Sequence, residues 1–235
     1  MVRANAWQTL DEAMTDEGKM SLKKRDHEYI IEMESFILMN SKLNLTEIAL
    51  GQSACENIAT SKPHVLIGGL GMAFTLRAAL DQLPAGASVV VAELNPTVVN
   101  WCKNELAELT NNAATDPRVK IVIEDVANLI TRAASSDQKF DAIVLDLYQG
   151  THDANTDRSH PFYSRQALDR TRRALKPGGI LGVWTETSDT QFEQRLKRIG
   201  FSVKRTRPGK GGPRHTVYLA TKITTAPRKR KPKRR

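Results

Sequence analysis

At 235 residues, 40% hydrophobic and 26% charged, the chain is long enough for one substantial core and too apolar to be disordered or fibrous. Its formal net charge of +9 does not describe the folded body, because seven positive charges lie in the run RKRKPKRR from Arg228 to Arg235 and leave about +2 for the rest. No stretch approaches the roughly 18 apolar residues of a membrane span, and the opening MVRANAWQTLDEAMTDEGK lacks a signal-peptide core, so the reading is a cytoplasmic protein with no membrane partner.

In chain order, MSLKKRDHEYIIEME and SFILMNSKLN alternate as a small β-hairpin over about residues 19 to 45. LTEIALGQSACENIA then carries apolar residues at helical spacing, with Thr46 as its cap. Together they make residues 1–62 a small N-terminal β-rich segment with a linking helix. From 63 to 225 five strand-length apolar runs alternate with helical patterns. HVLIGG precedes MAFTLRAALDQL, SVVVAEL precedes PTVVNWCKNELAEL, and VKIVIED precedes VANLITRAA. FDAIVLDLY then precedes FYSRQALDRTRRAL, and GILGVWTE precedes DTQFEQRLKRI. Such a series predicts an α/β, Rossmann-like, doubly wound sheet, mostly parallel and covered on both faces. FSVKRTRP and HTVYLATKI, joined by a Gly/Pro-rich turn rather than a helix, add a C-terminal hairpin with an antiparallel strand. Residues 226–235 read as a basic, disordered tail. Cys55 and Cys102 have neither metal-ligand nor CxxC spacing and are expected as buried free thiols.

Four strand ends carry the chemistry. The first strand runs through Gly68, Gly69, Leu70 and Gly71 directly into a helix, a turn that lets a ligand approach backbone and helix N-terminus; close packing alone is the competing explanation. Glu93, followed by Leu94, ends the next strand about 20 residues on, where a carboxylate can accept hydrogen bonds from both hydroxyls of a ribose; a solvated side chain is the alternative. Asp125, followed by Val126, ends the third strand and suits both the adenine amino group and a helix cap. Asp146 ends the fourth, beside the switch point of such a sheet, and with Tyr148 is the first candidate for contact with the reacting substrate.

These residues carry a resemblance to the spermidine synthase-like branch of the class I adenosylmethionine-dependent enzymes. HVLIGGLG is similar to that family's V-L-I-G-G-G-D-G turn, VVVAELNPTVV to its ribose-binding acidic strand, VIEDVANLI to its G-D-A segment, and FDAIVLDLYQ to its Y-D-V-I-I-x-D-x-x-D strand. PFYS, ALKPGGIL and the hairpin stretch FILMNSKLNLTEIAL fit as well, so the likeness covers about 20 to 223. It implies S-adenosylmethionine or its decarboxylated form as cofactor, held by Gly68, Gly69, Gly71, Glu93, Leu94, Asp125, Val126 and Asp146, and it implies a homodimer. The departures concern acids: Leu70 or Met72 stands at the turn's Asp, Gln149 at the second Asp of D-x-x-D, and the hairpin's Gln and Tyr are not evident.

Depletion of groups that would hold a cationic polyamine favours methyl transfer to a small amine over aminopropyl transfer. The loop QGTHDANTDRSHP offers Asp153 or Asp157 as substitute carboxylates and His152 or His160 as a base. Its H-D-x-x-x-D-x-x-H spacing is no recognised metal set, so solvent exposure and no metal are expected. Trp184 and Glu186, after the fifth strand, are also expected to face the crevice region, with sheet packing an equal alternative for Trp184. A nucleic-acid-associated protein or methyltransferase, using the tail for salt-sensitive phosphate attraction, ranks lower, as does a binding protein that has lost catalysis.

Overall fold

The computed structural model describes residues 5–16, 18–34, 36–148, 150–209 and 215–224; Gln149 and the basic tail lie outside them. The apolar runs form β5 (His64–Gly68), β6 (Ser88–Glu93), β7 (Val119–Ile123), β8 (Phe140–Leu145) and β9 (Leu175–Thr185). They need no alternation because both faces of the sheet are covered. Val65, Ile67, Ala142 and Val144 enter one core cluster, while Leu66, Ile143 and Leu145 enter the other. Each such Val, Leu or Ile side chain, fully buried, contributes about 1.5–3 kcal/mol.

The helices are α1 (Leu45–Cys55), α2 (Phe74–Gln82), α3 (Pro96–Lys103), α4 (Val126–Ala134), α5 (Arg165–Ala174) and α6 (Thr190–Ile199). With β10 (Phe201–Thr206) and β11 (Thr216–Lys222) the main sheet has the order β10-β11-β9-β8-β5-β6-β7. Pairing is parallel from β9 through β8, β5 and β6 to β7, whereas β11 is antiparallel to both its neighbours. The chain thus leaves β5 in one direction and returns to β8 on its other side. That reversal sets the ends of β5 and β8 beside each other, where a doubly wound sheet opens a crevice. Among the described residues no helix is long and apolar enough to cross a membrane.

The N-terminal part is larger than a hairpin. β1 (Gln8–Thr15), β2 (Gly18–Arg25), β3 (Glu28–Met33) and β4 (Phe36–Asn40) form a four-stranded antiparallel sheet in sequence order. β1 is mostly polar and exposed, so it lacks the apolar alternation that reveals a strand. What fixes it is long-range: the indole N–H of fully buried Trp101 donates to Asp11 at 2.7 Å. Met20, Leu22, Ile31 and Met33 share one core cluster with α2 and α3, so this sheet packs on the body. Thr46 does not cap α1; Asn44 holds that position without a side-chain cap bond, and the Thr46 hydroxyl is drawn elsewhere by tertiary partners.

Candidate active site

The turn after β5 is built by close approach. A Cβ on Gly69, whose φ is +87°, would lie 2.2 Å from the Asp146 carbonyl oxygen, so only glycine fits between the two strand ends. The turn is knitted on both sides: Gly69 N–H donates to the Ala92 carbonyl and Asp146 N–H to the Gly68 carbonyl, each at 2.9 Å. At Gly68 an added Cβ would meet Val126 at 2.9 Å, a consequence of tight packing of α4 on β5. Gly71 is covered by Met39 of β4, and its carbonyl accepts from the Cys102 thiol at 3.1 Å. Cys55 and Cys102 are free and buried as expected, and burial pushes both thiols up to about 12.

Glu93 is aimed at this turn. One carboxylate oxygen accepts from Leu70 N–H and the other from Asn95 N–H, both at 2.9 Å. These bonds fix the carboxylate plane at the end of β6. Asp125 caps α4, accepting from Ala127 N–H at 2.8 Å. Around these strand ends three large apolar side chains remain exposed: Leu94, Ile123 and Tyr148. Val126, by contrast, is buried beneath the turn.

Asp146 follows β8 at the point where the strand order reverses. The Thr75 hydroxyl, near the start of α2, is 2.6 Å from Asp146 Oδ2 and 3.2 Å from the Glu47 carbonyl oxygen. Burial pushes the Asp146 carboxyl up to about 7; the Thr75 bond opposes this and the charge of Glu47 adds to it. Tyr163 is fully buried nearby, its hydroxyl has no hydrogen-bond partner among the described residues, and burial together with the Asp146 charge raises its pKa. Trp184 N–H donates to Thr46 Oγ1 at 3.0 Å and the Thr46 hydroxyl donates to Glu47 Oε2 at 2.7 Å, while His215 meets the indole edge-on at 4.8 Å.

The loop after β8 does not join this group. Arg195 of α6 donates to the Asn155 side chain and, at 3.4 Å, to the Thr151 carbonyl; Asn155 donates to Asp189, and His152 contacts the Thr187 hydroxyl at 2.9 Å. Asp153, in a short 3-10 turn, is exposed, and among the described residues no hydrogen bond or ion pair links its side chain to Asp146. The loop is less exposed than its polarity implies. Thr151, Ala154 and His160 are buried. His160 Nδ1 accepts from the Phe162 and Tyr163 amides and its ring stacks on Tyr163, so it serves as a local structural anchor, with burial lowering its pKa. No group of three or more His, Cys, Asp or Glu among the described residues is arranged to hold a metal.

Sequence reasoning singled out Asp146 but passed over Glu47, Thr75 and Tyr163. Glu47 and Thr75 lie on helices whose periodicity reads as packing, and no short-range motif connects them to a residue 71 positions or more away.

Residues 45–198 match the family described as the spermine/spermidine synthase domain. The chain is 32% identical over 145 residues to a polyamine aminopropyltransferase of Mycobacterium tuberculosis, covering 59% of this chain and 27% of that protein. It is 32% identical over 117 residues to one of Pyrobaculum calidifontis, covering 50% and 39%. The chain therefore spans well under half the length of these relatives. Its fold is shared with a spermidine synthase of Thermotoga maritima, at a TM-score of 0.70, 16% identity and coverage of 91% of this chain and 72% of that one. It is also shared with human methyltransferase-like protein 13, at 0.54 and 17%, covering 78% and 82%. These matches overturn the preference for methyl transfer, and with it the assignment as an S-adenosylmethionine methyltransferase. The related sequences are named for aminopropyl transfer, not methyl transfer. The chain belongs to the spermine/spermidine synthase domain family.

Proposed function

We propose that this protein transfers an aminopropyl group from decarboxylated S-adenosylmethionine to a small amine. The observation that carries the reading is the family match across 45–198 together with a partly buried, Thr75-bonded Asp146 at the switch point. The crevice suits a nucleoside: Glu93 faces the glycine turn with lone pairs free for ribose hydroxyls, and Leu94 and Ile123 offer exposed apolar surface to a flat base. Asp125 lies at the adenine side, with its cap bond occupying one oxygen.

When bound, the sulfonium supplies an activated carbon, whose bond to sulfur breaks as the amine nitrogen bonds to it, leaving neutral methylthioadenosine. The chain's own residues position and deprotonate the amine. Asp146 accepts a proton from the attacking nitrogen at its carboxylate, and its raised pKa makes it a stronger base than a solvated carboxylate. Because the ionised form is the base, turnover rises as pH increases through about 7. The glycine turn brings backbone close to the ligand, and the fixed Glu93 carboxylate limits how the nucleoside can turn. The test is incubation with decarboxylated S-adenosylmethionine and a panel of amines, followed by mass analysis. Products heavier by one aminopropyl group, with matching release of methylthioadenosine, support the reading; no such product with any amine sinks it.

A further inference from the structure

Residues of α5 and α6 line a cavity of about 300 Å³: Arg165 from the first helix, and Arg195, Arg198 and Ile199 from the second. Three guanidiniums thus converge on one space. Among the described residues the one acid paired with any of them is buried Asp189, 3.8 Å from Arg195. Arg165 and Arg198 are exposed and have no hydrogen-bond or ion-pair partner among the described residues. Arg195 is fixed in place. Its guanidinium lies 5.8 Å from the centre of the Phe192 ring, and it donates to the Asn155 side chain and the Thr151 carbonyl. Its Nε is nevertheless buried without an acceptor among the described residues. Buried donors are ordinarily paired, so an orphaned one marks a place for an acceptor from outside the chain. Like charges gathered at such a place repel one another, and an anion between them removes that cost.

We propose that the cavity between α5 and α6 is a binding site for a phosphate dianion, carried by a small organic phosphomonoester or free in solution. Three positive charges against the one of Asp189 leave about +2, which matches the charge of about −1.5 to −2 on a phosphomonoester. Guanidinium forks also fit tetrahedral oxyanions two oxygens at a time. The volume lies at the lower end of small-ligand sites, about 300–1,000 Å³, and Ile199 with the arginine methylene stems offers apolar wall to a carbon skeleton. Nothing in this lining is a nucleophile or a general base, so the site binds without reacting. Arg195 serves the cavity and the loop after β8 at once. An anion that holds its guanidinium therefore also braces Thr151 and Asn155, in the loop that begins a few residues after Asp146.

The experiment is calorimetric titration of the full chain with ribose 5-phosphate and with inorganic phosphate, in about 0.15 M chloride so that loosely attracted anions are screened. Tighter binding of the sugar phosphate assigns the site to an organic phosphate, and equal binding assigns it to the free ion. Arg165→Gln and Arg198→Gln, which remove no other contact of the fold, should each weaken binding by about threefold or more, and together by about tenfold or more. Arg173→Gln removes the same charge from α5 outside the cavity lining, where the side chain pairs with Asp169, and should change affinity by less than about twofold. Hydrogen exchange should slow at residues 151 to 157 when the ligand is bound. No binding of either probe, an unchanged affinity in the double variant, or an equal loss in Arg173→Gln would overturn the assignment. Unaltered exchange in the loop would place the anion away from Arg195 and overturn it as well.

Discussion

The proposed nucleoside side of the crevice and the proposed acceptor side are built in different ways. On the nucleoside side, each group sits at the junction of one strand with the helix that follows it, and backbone amides hold it: Leu70 and Asn95 for Glu93, Ala127 for Asp125. On the acceptor side, Asp146, just after β8, bonds the Thr75 hydroxyl of α2, which also reaches the Glu47 carbonyl of α1, while Trp184 of β9 is linked to Glu47 through Thr46, all by side chain to side chain or side chain to carbonyl bonds. A backbone-held site depends on the fold alone, so it tolerates drift in side chains. A side-chain network depends on several distant residues at once, and it is where substrate preference can change without a change of fold.

The largest test of that division is Asp146→Asn. It should lower turnover by about 10²–10⁴-fold, the loss of a positioned base, while methylthioadenosine affinity measured by calorimetry changes little. If nucleoside binding falls in parallel, Asp146 belongs to both sides and the division fails. The opposite dissociation is expected of Glu93→Ala. Nucleoside affinity should weaken by about 1–3 kcal/mol through lost charge-assisted hydrogen bonds, with 1,4-diaminobutane affinity unaffected in the loaded protein. A folded variant with undiminished nucleoside affinity would remove Glu93 from the site.

The same contrast explains what the sequence made visible. Gly68 to Gly71, Glu93 and Asp125 could be picked out because strand, turn, acid and helix follow one another along the chain, and each motif is complete within a few residues. The parallel sheet was equally legible, since strands covered on both faces become unbroken apolar runs. Glu47 and Thr75 were not, because their meaning arises only when α1 and α2 pack and bring a hydroxyl 2.6 Å from a carboxylate 71 residues away. β1 escaped for a related reason: its anchor is Trp101, 90 positions from Asp11. The loop from 149 to 161 reads as exposed from its polarity, whereas Thr151, Ala154 and His160 are buried and Arg195 and Asp189 hold its described residues against α6.

Stability sharpens the comparison further. The folded state raises the Asp146 carboxyl from the ordinary carboxylate range to about 7, so folding favours its protonated form. Below about pH 4 the carboxyl is protonated in both folded and unfolded chains and costs nothing. As pH rises toward 7 the unfolded chain releases its proton first, and the folded state loses stability. Asp146→Asn should therefore raise Tm by about 2–4 °C above pH 8, the shift expected for about 1 kcal/mol in a chain of this size, and the gain should vanish near pH 4. Thermal melts at the two pH values decide it. A gain independent of pH would assign the effect to packing instead.

Asp125 has two duties that separate cleanly. Loss of the α4 cap in Asp125→Ala should cost about 1 kcal/mol of stability, whereas Asp125→Asn, an equally good cap, should cost almost nothing. Any loss of nucleoside affinity in the well-capped Asn variant then reports the adenine-side role alone. Unchanged affinity in it would leave Asp125 as a cap and narrow the nucleoside side to the glycine turn and Glu93.

The smallest effect is expected at Asp153, and it bears most directly on where the acceptor side ends. This carboxylate belongs to a loop that Arg195, Asn155, Asp189, His152 and Thr187 join to α6 and the segment before it, and its side chain is open to solvent. A charge so placed is screened by water and by salt over about 8–10 Å, so it should hold no ammonium in the crevice. Asp153→Asn is accordingly expected to change the amine KM and kcat by less than about twofold, within the range of a neutral surface substitution. Steady-state kinetics at low and at physiological salt check this. A severalfold rise in KM that fades with salt would mean that the loop leaves α6 and covers the crevice during turnover. The acceptor side would then include a moving part, and its specificity would be shared with the loop.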